Sequence, residues 1–286
     1  MINVFKMDLY RMMKSFGTWG VLCAMVLMSA MTVLITVNSV QESRRMVGEM
    51  KQGEANGLYE DASYNGVSVD EIDDNYFDSM LTTKAFNNTI GTSANFLLLI
   101  AIFAAVFING EAANGYLKNI SANVKSRSLL IFTKMLCIGI FAVALIIVSN
   151  LTVYASQLIF LGTGHFSPPL EILSADALFL LTAYAFAALV SLITVSMRNT
   201  AGGLIIGIVL STGFGAAICS LISMGLNKLF QRDDISLVEY TITNVNSSIP
   251  AALEQGGFTR IIIVAAAWLV ACTVLSMLIY KKREVK

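Results

Sequence analysis

Charge is scarce in this chain. Of 286 residues only 13% are charged, against roughly 25% in an average soluble domain. Apolar residues make up 56%, and the mean hydropathy is +0.71. A soluble protein of this length needs far more polar surface to cover its core. There is one histidine, His165, in the turn Gly162-Thr163-Gly164-His165 ahead of Pro168-Pro169, a place that suits capping or solvation better than catalysis. The sequence has no H-E-x-x-H, no G-x-S-x-G, no G-x-x-x-x-G-K-[ST] and no intramembrane aspartyl pair, so it lacks the residues of zinc proteases, serine hydrolases and nucleotide hydrolases. The four cysteines, Cys23, Cys137, Cys219 and Cys272, each lie inside an apolar run and none forms a C-x-x-C pair. They read as small apolar helix residues rather than as disulfides or metal ligands. No metal site is expected, and a formal net charge of zero gives no reason to expect a nucleic-acid partner.

What the chain has is long apolar runs. Their arrangement predicts an all-α membrane protein of six transmembrane helices. The spans are placed at 16–37, 94–110, 129–161, 177–196, 201–224 and 260–280. An interfacial helix over 1–15 precedes them and a short tail over 281–286 follows. The first run, about 21 residues, is too long for the core of a secretory signal and ends without an A-x-A-like cleavage site. The second span is short and its start is open, as far forward as Ile90. The third would reach about 50 Å as one helix, beyond a hydrocarbon core of about 30 Å. It must tilt, protrude or break near Ser149-Asn150. Only a few residues around Arg198 join the fourth and fifth spans, which makes those helices antiparallel neighbours.

Lysine and arginine set the orientation. With the N-terminus inside, the inner segments carry twelve basic residues against three acids, and the outer segments seven against sixteen. The two sides are then +9 and −9, a separation that losing or adding one span would scramble. Both termini are therefore placed in the cytoplasm. The outer segment over 38–93 is acidic and reads as a small ordered insertion: Asn65-Gly66 signals a two-residue turn, and Ser68-x-x-Glu71 resembles a capping box opening a helix toward Ala85. Its carboxylates Asp70, Glu71, Asp73, Asp74 and Asp78 lack calcium-loop spacing and suit a solvated face. The outer loop over 162–176 is short. The segment over 225–259 mixes apolar residues with acids and suits the outer membrane surface.

Two stretches suggest mechanism. Ile2, Phe5, Leu9, Met12 and Phe16 recur at helical spacing, with Asn3, Lys6, Tyr10 and Lys14 opposite, the pattern of a helix lying in the headgroup plane. A plain extension of the first span is the alternative. The segment over 111–128 carries Leu117, Ile120 and Val124 on one face, with Lys118, Lys125 and Arg127 around it. A short amphipathic helix there is placed to dock a partner, although a positive-inside loop alone also explains the basic residues. In the fifth span Gly203, Gly207, Ser211, Gly215, Cys219 and Ser223 repeat every four residues. This face serves either a subunit interface or translocation path, or packing against the fourth span.

Glu111, Gly115, Lys118, Ser126-Arg127-Ser128 and Lys134 follow one another after the second span in the order seen in ABC-2 type transporter permeases, the membrane subunits of bacterial ABC exporters. The layout resembles theirs as well: an interfacial N-terminal helix, six spans, an insertion after the first and an outer segment before the last. The resemblance implies a multi-pass protein of the bacterial cell membrane, embedded in the lipid bilayer. It implies pairing with a separate ABC ATP-binding subunit and with a second permease subunit, as a homo- or heterodimer. Glu111, Gly115, Leu117, Lys118, Ile120, Val124 and Arg127 would then couple to the ATPase. This chain would bind no cofactor itself; ATP and magnesium would belong to the partner, and the permease would not be an enzyme. Lys134 and Asp176 are read as interfacial edge residues, and ionisable groups deep in the spans are nearly absent. An amphipathic cargo such as a peptide, antibiotic, drug or lipid therefore suits the path better than an ion. The alternatives are a scaffold or sensor with an extracellular ligand-binding cap, an ion-exporting ABC permease, and a secondary carrier. The last is disfavoured by the missing buried charges and the lack of an evident inverted repeat.

Overall fold

A computed structural model describes residues 2–56, 63–113, 127–230 and 236–281. Among the described residues the regular structure is helical except for one two-stranded hairpin. Four of these helices are long and apolar enough to cross a membrane: α2 (Phe16–Ala55), α6 (Arg127–Phe160), α7 (Pro169–Met197) and α12 (Phe258–Lys281). Two bent pairs of helices are together long and apolar enough for a broken span or a re-entrant loop: α4 (Thr83–Thr92) with α5 (Ala94–Ala113), and α8 (Thr200–Ser211) with α9 (Phe214–Phe230). Counting each pair as one crossing gives up to six. The helix α1 (Ile2–Lys14) is separate from α2, with Ser15 between them. It is thus a helix of its own and not an extension of the first span. The Trp19 indole donates to the Met13 carbonyl (2.9 Å), serving one of the unpaired carbonyls that a helix end leaves.

Contacts divide the chain into two compact units. One contains residues 26–90 and 149–173. Here α2 continues well beyond Val37: its polar half, from Asn38 to Ala55, contains no proline and carries an Arg45–Glu49 pair one turn apart (3.1 Å). A hairpin follows, β1 (Ser63–Tyr64) with β2 (Val67–Ser68), closed by Asn65-Gly66 at positive φ (53° and 81°), the geometry expected of that dipeptide. The capping box does not form. Ser68 makes no side-chain cap, and Val69–Glu71 is a single 3-10 turn. The helical stretch that follows is split into α3 (Asp74–Met80) and α4. Asp78 is drawn into an ion pair with Arg44, whose guanidinium also lies over the Phe77 ring. Lys51 donates to the Ile72 carbonyl (2.9 Å) and Tyr64 to the Ser43 hydroxyl (2.7 Å). The insertion is therefore folded onto α2, around buried Val69, Ile72, Phe77 and Leu81. At the end of α6, Gln157 is fully buried; it accepts from the Thr83 hydroxyl (2.7 Å) and donates to the Leu81 carbonyl (2.9 Å). The third span does not break at Ser149-Asn150. Ser149 instead hydrogen-bonds Ser29 of α2 (3.2 Å).

The other unit holds residues 1–25, 91–148 and 174–286. In it α8 packs against α5, and Gly207 of α8 lies close to both Ala101 of α5 and Val190 of α7. Phe103 of α5 stacks on Phe141 of α6 with ring centroids 3.6 Å apart. The fifth span is not one straight helix: α8 and α9 meet at 66°, with Gly213 at φ +85° between them. Two short helices, α10 (Ile242–Ser247) and α11 (Ile249–Gln255), precede α12 and bury Ile242, Val245, Asn246 and Ile249. The small residues of α8 face inward. A methyl at Gly203 would lie 2.1 Å from the Thr194 hydroxyl oxygen and 3.2 Å from its Cα. One at Gly207 would lie 3.3 Å from both Ala101 and Val190. Gly203→Ala should therefore lower stability by about 1–3 kcal/mol, since backbone as well as side chain must move. Gly20→Ala, with open space around it, should be neutral or stabilising by up to about 1 kcal/mol. Thermal unfolding of the two detergent-solubilised variants against wild type checks this.

Candidate functional site

The two helices that carry the loop after the second span are fixed to each other. α5 ends at Ala113 and α6 begins at Arg127. The seven residues predicted from sequence to couple to a partner fall here, and only two of them lie in the described helices. Glu111 lies in the last turn of α5 and Arg127 opens α6, whereas Gly115, Leu117, Lys118, Ile120 and Val124 lie outside the described residues. The tie between the legs is Lys134, two turns into α6, whose Nζ donates to the carbonyl of Ile108 near the end of α5 (2.9 Å). Sequence alone makes Lys134 an interfacial edge residue. In the structure it is only 3% exposed, and its amine donates to that buried carbonyl.

Beside it, Thr133 binds the N-terminal helix. Asp8 of α1 is 1% exposed, and one carboxylate oxygen accepts from the Thr133 hydroxyl at 2.8 Å; the same hydroxyl lies 3.0 Å from the Leu130 carbonyl. A carboxylate is the stronger acceptor of the two. The protein-facing side of α1 is thus Asp8 and Met12, not the whole apolar stripe: Phe16 is 91% exposed, and Phe5 and Leu9 are half-buried. Asp8 is the residue that periodicity misses. A signal for it exists in the sequence, since it is the first acid in the chain and none follows until Glu42. A lone carboxylate on a basic helix points to a specific partner.

Three elements therefore meet at one point: α1 through Asp8, α5 through Ile108, and α6 through Thr133 and Lys134. They border a cavity of about 470 Å³ that Asp8, Arg11, Lys134 and Phe103 help to line. The described side chains here include no activated nucleophile, and among the described residues no group of three or more His, Cys, Asp or Glu could hold a metal. What the arrangement can do is mechanical. It fixes the base of the loop and joins that base to the N-terminal helix.

Comparison with protein families decides what kind of molecule carries this arrangement. The family described as ABC-2 family transporter protein matches residues 65–215, more than half of the chain, a stretch that runs from the hairpin through both legs of the loop to the bend of the fifth span. The chain belongs to the ABC-2 transporter family. It is a multi-pass membrane permease, a transport component of a family whose permeases generally work with an ATP-binding subunit. None of the curated proteins matches it. The matched stretch of this ABC-2 permease includes Thr133 and Lys134 but not α1, so Asp8, Arg11 and the N-terminal helix lie outside it.

Of the fifth-span stripe, Gly203, Gly207 and Ser211 are buried in α8 against neighbours within the chain, while Gly215 lies past the bend, where a methyl would meet Leu210 at 3.1 Å. Spacing alone cannot find that bend, because the four-residue repeat runs through it unbroken.

The tie of α1 can be tested directly. Asp8→Leu should destabilise the permease by about 1–3 kcal/mol and expose α1 to added protease, whereas Asp8→Asn, which keeps an acceptor for Thr133, should retain most of the stability. Melting temperature and limited proteolysis of the two variants check this.

Proposed function

We propose that this permease couples ATP hydrolysis by a separate cassette ATPase to export of an amphipathic substrate. The loop from Glu111 to Arg127 seats on the ATPase, and two permease subunits work together in the membrane, with both termini on the cytoplasmic side. ATP and magnesium belong to the partner. The observation that carries the reading is the bond from Lys134 Nζ to the Ile108 carbonyl. It supports coupling because a push on the loop reaches both spans through a fixed base and is not lost in slack. Family membership supplies the partner class. Glu111 and Arg127, at the two ends of the loop, are placed where the force enters each helix.

The amphipathic cargo rests on the character of the spans. Several of the hydroxyls and amides buried in them are engaged with other helices, among them Thr182, Ser149 and Gln157, and the buried ionisable side chain of a span, Lys134, is bonded to the Ile108 carbonyl. A path for bare ions ordinarily places ionisable groups along its length.

The proposal is tested by co-expressing the permease with a cassette ATPase and measuring hydrolysis in proteoliposomes. Wild type should stimulate the ATPase, while Glu111→Lys and Gly115→Pro should insert normally in the membrane and lose stimulation by about tenfold or more, equal to about 1.4 kcal/mol of lost coupling. Normal stimulation by both variants would remove the loop from the mechanism.

A further inference from the structure

The cavity beside α1 contains a polar group for which the coupling role has no use. Thr18, the third residue of α2, is 5% exposed and lines the cavity, and its hydroxyl has no hydrogen-bond partner among the described residues. A threonine within a helix ordinarily donates to the carbonyl one turn back. Ser15 interrupts the helix three residues earlier and takes that option away. A buried hydroxyl left without a partner calls for an explanation, because such groups are rare in folded proteins.

The lining is graded from polar to apolar. Arg11, Thr18 and Lys134, with Asp8, gather at the α1 end. From Gly110 the wall then runs along α5 through Phe107, Val106 and Ile102, about 12 Å at the rise of a helix. Val106 is 41% exposed, so this wall is open on one side. Among the described lining residues two cations stand against one carboxylate. A volume of about 470 Å³ falls within the range of about 300–1,000 Å³ usual for small-molecule sites. A polar solute from water would leave the apolar wall unused, whereas a molecule with a charged head and a long tail uses both.

We propose that this cavity binds an anionic phospholipid of the surrounding leaflet. The phosphate sits among Arg11, Lys134 and the Thr18 hydroxyl, and one acyl chain lies along Phe107, Val106 and Ile102. Basic pockets between helices at a membrane face are suited to such headgroups. The bound lipid would brace α1 against α5 and α6 at the same level as the bonds of Asp8 and Lys134, making the base of the loop sensitive to membrane composition. Binding needs no ATPase, so its failure would leave the coupling role to be judged by hydrolysis alone.

Native mass spectrometry of the delipidated full-length chain, offered equal amounts of phosphatidylglycerol and phosphatidylcholine with the same acyl chains, tests the proposal. One phosphatidylglycerol should be retained in preference to phosphatidylcholine by about fivefold or more, the increment of one basic residue near a lipid phosphate. Arg11→Gln and Thr18→Val should each remove most of that preference, while Lys6→Gln, on the exposed side of α1, should keep it. Thr18→Val should also melt no lower than wild type without lipid, yet gain less from added phosphatidylglycerol. Equal retention of the two lipids by wild type, or a preference that survives both cavity substitutions, would overturn the site. Displacement of the lipid by millimolar inorganic phosphate would overturn the lipid as its ligand.

Discussion

A backbone carbonyl in hydrocarbon has no water to bond, and a helix that breaks there exposes several at once. This permease has two apolar helix pairs with a bend between their members, and its internal architecture answers that constraint. At the break after Thr92 the amide of Asn246, fully buried on α10, donates to the carbonyl of Gly91 (2.7 Å), and its oxygen accepts from the Thr182 hydroxyl of α7 (2.7 Å). The Ser93 hydroxyl accepts from the Phe96 amide (3.3 Å) and so starts α5. At the second break the hydroxyls of Ser211 and Thr212 donate to the Ile208 and Val209 carbonyls (both 2.8 Å). The short helices before α12 are thus more than a connection; one of them serves the break between α4 and α5.

That dependence also constrains packing. Gly91 has no room for a side chain, since a methyl there would lie 2.6 Å from the Phe179 ring. The break, the amide that serves it and the ring that packs against it form one arrangement, and none of the three tolerates a change of size without disturbing the others.

Much of this could be read from the sequence, and what could not has physical reasons. Apolar runs, basic residues and the Asn65-Gly66 turn report local or one-dimensional properties, and so they showed the membrane class, the separate N-terminal helix and the hairpin. The extension of α2 past Val37 was missed because hydropathy marks where a helix leaves lipid, not where it ends. The bend at Gly213 was hidden because one glycine in a glycine-rich stripe looks like any other; only its φ sets it apart. Asp8, Thr18 and Lys134 were passed over or placed at the edge because their significance lies in contacts across the fold. Asp8 meets Thr133 over 125 positions of sequence, a pairing no window can see.

The bond between Lys134 and Ile108 has one more consequence. It closes the intervening chain into a loop whose ends stay together whatever lies between them. Closing a longer loop costs little more than closing a short one, about 0.6 kcal/mol for each doubling of length. Added length between the two legs therefore costs the fold little, whereas the helical residues beside the pin, Leu130 and Thr133 among them, stay constrained by their own burial and bonds. Variation in length is cheap only beyond the helical legs, and a change within them is felt by the N-terminal helix as well.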